Sequence, residues 1–553
     1  MKCDTNRNVS EGPALFPVNV SIAFVFALLL FAVNNLNLIS AWSHPPQGWV
    51  PVYVGRDPDV AQHLAWINHM RDHWLAPDFH APVVTRPGLF SPLMWGLGHV
   101  ARLGIDASLV YVGAQFLLYF IGSYALLRCL RIFTTSRMQA CSVLLCIICV
   151  FPVGSFADLA KFIGGRTRES PVFYGAHDGF FLQGPLTLTF GTVAVLASLA
   201  LIGSYVRSGK SLFLVSAGAV TALSGLLHPF EVFAIMAGAT LSFFCLGWPR
   251  LRRPLAESLA ICVPGALAVL PYVWFSLHVD WMSRMTRRNQ APVDNLQHIL
   301  LGVGIPAMVA LAVLVIGPRM REPLDIVLEC WFVGTLIMLN VPRLPFRVHL
   351  LDGFAAVTAL LLVRQFSTLP SLKNWMVQHR KYMFMAGGIV FALSLAVQTI
   401  HRYVAFRSGN EVGGWSVAPQ GEIGTIAWLR EHSKPQELVL VPQESAPWVA
   451  TVPIHAWASH WLFSMDYLEQ QRLSRAFYAG ALGEDGVRRF LQDCGVNYVA
   501  VPLGSPVAGA LSSGNRAAQI GSWTIYYFPE NRMPPYDALT LPSACAAHAG
   551  DRP

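Results

Sequence analysis

At 553 residues the chain is 54% hydrophobic and only 13% charged, about half the charge of an ordinary soluble domain, which excludes a soluble globular protein as its main body. Mean hydropathy is +0.47, and the apolar residues come in long blocks rather than amphipathic stripes. The formal net charge of +8 does not mark a nucleic-acid binder, because the basic residues sit in short clusters between apolar blocks, where membrane topology puts them.

The N-terminus opens with Lys2 and Arg7, and an apolar run from Val18 to about Trp42 is too long for a cleaved signal peptide, so it is read as a first span. Its block, at about 18–41, is followed by others at about 108–127, 138–154, 183–206, 211–227, 229–247, 254–277, 298–316, 323–340, 348–364 and 382–400. A helix needs roughly 20 apolar residues to cross a bilayer, and lipid leaves the backbone no alternative to the helix. The expected fold is therefore an all-α polytopic bundle of about eleven spans. Alternate connectors are basic: Arg128, Arg131 and Arg137; Arg207 and Lys210; Arg250, Arg252 and Arg253; Arg319 and Arg321; Arg364, Lys373, Arg380 and Lys381. The positive-inside rule then places the N-terminus in the cytoplasm. An odd span count puts the tail on the extracytoplasmic, periplasmic side of an inner membrane.

That tail alternates helix-like and strand-like stretches. Ile423–Arg430 precedes the strand-like residues 437–441, Glu484–Asp493 precedes residues 496–501, and Trp523–Phe528 reads as another strand. A small α/β domain over 421–553 is expected, joined by a polar, Gly-containing linker at 401–420 to a transmembrane module over 1–400. Most of the cysteines lie in apolar blocks, where free Cys packs as a small hydrophobe, including the Cys146 and Cys149 pair. Cys494 and Cys545 fall in the tail and suit a disulfide.

Two outer loops, 42–107 and 155–182, are longer than any turn needs. In the first, residues 60–67 and 92–100 are amphipathic and suit the membrane surface, with Trp66, Trp74 and Trp95 at headgroup depth. It opens on Arg56-Asp57-Pro58-Asp59. A carboxylate beside a second carboxylate and a low-dielectric surface is a stronger base than in water, fit to take a proton from an attacking hydroxyl. The bland alternative is that Asp57 caps the following helix or pairs with Arg56. In the second loop, His177-Asp178 suits a divalent metal, a sugar hydroxyl or a local hydrogen bond. His228-Pro-Phe-Glu231 interrupts an apolar stretch at the outer side, where ionisable residues are costly and default to functional candidates; a helix cap and a polar pocket are the ordinary reading.

The outer turns also break the charge rule. They carry Arg284, Arg287 and Arg288, then Arg343 and Arg347 followed by His349. Guanidinium forks match phosphate oxygens, so these arginines are expected to meet a lipid phosphate, or more simply the anionic headgroups of membrane lipids.

A first outer loop with amphipathic helices and an early acidic residue, outer arginines and a terminal α/β domain together resemble the GT-C fold integral-membrane glycosyltransferases, such as protein O-mannosyltransferases and aminoarabinose transferases. The resemblance covers most of the chain in architecture but few residues in motif: Asp-Pro-Asp stands where many members carry Asp-Glu with a nearby Tyr, and His63 follows Asp59 by four residues. It implies a hexosyl- or pentosyltransferase that takes its sugar from a polyprenyl-phosphate donor. The acceptor would be a hydroxyl of a glycan, lipid or protein, attacked with inversion and with Asp59 or Asp57 as general base. His63, the arginines, His177, Asp178, His228 and Glu231 would bind substrate, and a divalent metal serves some members. The rival expectations are a non-catalytic assembly scaffold and a secondary transporter.

Overall fold

Apolar helices make up most of the chain in its computed structural model, which describes residues 19–35, 49–51, 58–149, 186–288, 305–369 and 417–533, with short breaks inside these ranges and isolated positions elsewhere. In chain order the helices are α1 (Val20–Asn34), α2 (Pro58–His69), α3 (Pro92–Ala101), α4 (Ala107–Phe133), α5 (Arg137–Cys149), α6 (Leu186–Ser208), α7 (Ser211–Leu227), α8 (Glu231–Gly247) and α9 (Arg252–His278). They continue with α10 (Asp280–Arg288), α11 (Ile305–Ile316), α12 (Pro323–Leu339) and, after a 3-10 turn at Arg347–Leu351, α13 (Phe354–Ser367). Four segments are long and apolar enough to cross a membrane: Ala107–Phe133, Thr189–Ser208, Arg252–His278 and His349–Ser367. The protein is an integral membrane protein with a small sheet. The sequence block at 382–400 lies largely outside the described residues.

The chain divides into two compact units. The first holds Met1–Val33, Phe116–Val269 and Pro292–Leu395; the second holds Asn34–Gln115, Leu270–Ala291 and Ala396–Pro553.

In the first unit α8 packs along α12, with Trp331 buried against Gly238. Burial separates core helices from boundary ones. The apolar window of His349–Ser367 is 83% buried, so its hydrophobicity serves protein packing. That of Arg252–His278 is only 22% buried: Leu255, Leu259, Val263 and Leu267 form an outward stripe at helical spacing, suited to lipid.

The second unit is built on a five-stranded mixed sheet. A short ribbon precedes it, pairing β1 (Trp49–Pro51) antiparallel with β2 (Val417–Pro419). Then come α14 (Gln420–His432), β3 (Leu438–Leu440), β4 (His455–Ala456), α15 (Tyr467–Tyr478), α16 (Gly483–Asp493), β5 (Val496–Pro502), β6 (Asn515–Ile520) and β7 (Trp523–Tyr527). The order is β4-β3-β5-β7-β6, with β3 parallel to β4 and β5, and β7 antiparallel to β5 and β6. Leu438 and Leu440 enter one core with Phe477 and Phe490; Val439 and Val441 enter the other with Ile426 and Leu429. Both faces are covered, which is why β3 reads as a continuous apolar run without alternation. Cys494 is disulfide-bonded, and the expected partner Cys545 lies outside the described residues.

The loop after the first span belongs to this same unit. Asn68 Nδ2 donates to Thr451 O at 3.1 Å, and Ala456 N donates to Phe79 O at 3.0 Å. The close approach of α2 and α3, where a side chain at Gly98 would meet Met70 carbonyl carbon at 2.8 Å, changes one expectation. Trp66 is buried at 7% exposure, because it faces protein instead of headgroups, whereas Trp74 and Trp95 remain 65% and 42% exposed.

His455 on β4 is fully enclosed and lies 2.9 Å, through Nδ1, from Ala81 O. Burial pulls its pKa from 6.5 down to about 4, and the carbonyl only partly offsets this. The unfolded chain therefore binds more protons between those values, so stability is full above pH 6.5 and falls as pH drops toward 4. At about 1.4 kcal/mol per pKa unit the loss approaches about 3 kcal/mol. His69, lowered to about 4 by burial and then by His73, acts in the same direction. We expect His455→Asn to flatten part of this slope in thermal melts of the detergent-solubilised chain between pH 7 and pH 5; an unchanged slope would show that His455 is not a source of it.

Candidate functional site

The first polar cluster is built on α2. Pro58 opens the helix at a position where its missing N–H costs nothing, and Asp59 lies in the first turn with its side chain exposed. One turn on, His63 is buried, its ring stacked on Tyr111 at 6.0 Å and 26° and standing 5.8 Å from Trp66. Beside it Gln62 is 1% exposed, and neither of its amide atoms has a hydrogen-bond partner among the described residues. The surface carboxylate is thus carried by a helix whose inner face is locked by aromatic packing. Asp57 lies outside the described residues.

In the same unit α10 separates the arginines expected to meet phosphate. Arg284 is buried, its Nη2 lying 3.4 Å from Asp78 Oδ2. Asp78 in turn accepts from His80 N at 2.9 Å. The charge of Arg284 is already matched inside the protein, a tie that Asp78, 206 residues away, makes invisible in the sequence. Arg287, three residues on, is exposed. The side chain of Arg288 and the residues His177, Asp178 and Arg343 lie outside what is described.

The second polar cluster is in the first unit. Pro229 breaks the apolar stretch: His228 ends α7 and Glu231 begins α8. The His228 Nδ1 to Glu231 Oε1 distance is 2.7 Å. His349, on the 3-10 turn, sets its ring 5.0 Å from that of His228 at 87° and stacks on Phe230 at 5.2 Å. Asp352 follows, its Oδ2 3.9 Å from His349 Nδ1. The turn that brings these two round requires left-handed backbone at Gly353, φ 75°, and at Phe346, φ 53°. Glycine takes that conformation freely; a bulky Phe does so only where its surroundings impose it. Gly191 on α6 makes room for the acids, since a Cβ there would stand 2.5 Å from Glu231 Oε1 and 2.7 Å from Asp352 Oδ2. Among the described residues, His228, Glu231 and His349 form a group able to hold a metal ion. Arg347 lies nearby in sequence, and its Nη1 donates to Leu339 O at 3.4 Å, closing the end of α12.

Sequence reasoning singled out His228 and Glu231 by their depth in an apolar stretch. It missed Asp352 and Gly191, and noted His349 only as a neighbour of the arginines. Asp352 follows an apolar pair in a predicted span, and that local signal is the one that was available.

Among the solved structures to which the chain is similar are two GT-C fold glycosyltransferases. One is the Archaeoglobus fulgidus oligosaccharyltransferase in complex with Zn and sulfate, 13% identical with a TM-score of 0.49 over 88% of this chain and 68% of that one. The other is ArnT from Cupriavidus metallidurans bound to undecaprenyl phosphate, 12% identical with a TM-score of 0.47 over 94% of this chain and 99% of that one. At these scores neither likeness decides a residue's role here. No family model matches the chain, and no curated protein does.

Proposed function

We propose that the protein is a membrane glycosyltransferase that moves a sugar from a polyprenyl-phosphate donor to an acceptor hydroxyl on the extracytoplasmic side. The observation that carries this reading is the exposed Asp59 carboxylate on the rigid first turn of α2, with Gln62 and His63 buried beneath it. An exposed carboxylate held in one place can accept the proton of an incoming hydroxyl as that oxygen attacks the anomeric carbon. The C–O bond to phosphate breaks in the same displacement, which inverts the centre. The lipid phosphate departs as a stable anion and needs no acid. Arg287, exposed in the same unit as Asp59, suits that anion, with Arg288 beside it in sequence. Arg284, paired with Asp78, holds α10 in place.

The test is lipid analysis of a strain lacking the gene. A sugar-linked polyprenyl carrier is expected to accumulate and to disappear on complementation with the wild-type chain. An unchanged carrier pool in the deletion strain would end the transferase reading.

A further inference from the structure

We infer that His228, Glu231, His349 and Asp352 form a structural site for a divalent cation of the Zn2+ class, tying the α7–α8 turn to the start of α13. This assigns His228 and Glu231 a metal in place of the substrate contact that the family resemblance implies, and it stands independently of the transferase reading.

Two acids meet in the interior of the first unit. Glu231 is fully buried and Asp352 is 8% exposed, and both converge on the gap left by Gly191. Glu231 Oε2 and Asp352 Oδ2 are enclosed with no hydrogen-bond partner among the described residues. The two carboxyl groups are within hydrogen-bonding reach of each other; both ionised in a low-dielectric interior they repel, at a cost of roughly several kcal/mol each, unless a proton or a cation lies between them. Among its described residues this unit brings no Arg or Lys into an ion pair with them.

It does bring two imidazoles, from different elements. A ligand atom from each of His228, Glu231 and His349 lies within 4.8 Å of the others, and Asp352 Oδ2 is 3.9 Å from His349 Nδ1. Bonds of about 2.0–2.2 Å in a tetrahedral site put ligand atoms about 3.3–3.6 Å apart, so the 2.7 Å contact of His228 with Glu231 opens slightly while His349 and Asp352 move inward. Mixed imidazole and carboxylate ligands favour Zn2+ and its first-row neighbours over Mg2+ or Ca2+, which take oxygen ligands. Asp352 stands next to this group of three; taken in as a fourth ligand it leaves no open position, which is the mark of a structural centre. The ring of His349 is already oriented by its stack on Phe230, and the left-handed Phe346 lies just before the turn that carries it.

The full chain, purified with a histidine-free tag in metal-free buffer, is expected to retain about one Zn2+ per chain by elemental analysis. After chelation, added Co2+ should give the intense visible bands of four-coordinate geometry. Zn2+ should also raise the melting temperature. Glu231→Gln and His349→Asn should each weaken binding by at least about tenfold. His349 is partly exposed, so its variant decides the matter if Glu231→Gln does not fold. A folded wild-type chain with no retained metal and no cobalt bands would overturn the site and leave a shared proton to reconcile the two acids; so would variants that bind as tightly as the wild type. Binding is read without turnover, so an inactive chain that holds metal leaves the site standing, and an active chain without metal overturns the site alone.

Discussion

Asp59→Asn will lower transfer from a polyprenyl-phosphate sugar by about 10²- to 10⁴-fold, the usual contribution of a general base. The substitution keeps the size of the side chain and its place in the first turn of α2, and it removes the charge and the capacity to take a proton. If Asp59 served only to complement the helix dipole, its loss would cost about 0.3–1 kcal/mol of stability and leave turnover unchanged. The two roles therefore separate on one pair of measurements, a melting curve and an initial rate with purified donor lipid. Asp57→Asn belongs in the same experiment, because Asp57 directly precedes Pro58 at the start of the helix, where a capping Asp is favoured. Full activity in the double variant removes the base from the proposal altogether.

Arg364→Ala will destabilise the first unit by about 3–5 kcal/mol, the range for removing one partner of a buried ion pair. Arg364 lies near the end of α13 with its side chain 8% exposed. Its Nε donates to Asp325 in the first turn of α12, its Nη1 to Phe133 O at 2.7 Å and its Nη2 to Glu322 Oε2 at 2.7 Å. One guanidinium thus joins the ends of α4, α12 and α13. Glu322 is 69% exposed and contributes little, since solvent screens it; the loss comes from Asp325, left charged and enclosed at 5% exposure. Replacing both partners by apolar residues, Arg364→Met with Asp325→Leu, should recover much of the stability. Unfolding of the detergent-solubilised chain measures both effects, and a single variant that melts with the wild type would contradict the assignment. In the sequence, Arg364 counted as one of the basic charges that orient the spans; its fold partners were not visible there.

The sequence alone determined what depends on neighbours along the chain. Hydropathy over a window located α7 at Ser211–Leu227 to the residue, and the break at Pro229 separated it from α8. Apolar runs bounded by polar turns located β3 and β5, because strands covered on both faces are written as continuous apolar segments, and β7 was located by its aromatic and β-branched residues. The helix Tyr467–Tyr478 and the strand Asn515–Ile520 were not foreseen: their mean character is polar, and packing against a formed sheet selects them.

Only the tertiary structure decided which charges meet. Asp78 finds Arg284 across 206 residues, and Glu231 finds Asp352 across a break in the helical order, against a glycine on a third helix. Periodicity reports which face of an element is apolar, and local charge reports which side of a membrane it ends on. Neither carries the lateral neighbour of a helix, which is set by how side chains interlock once all the spans are present.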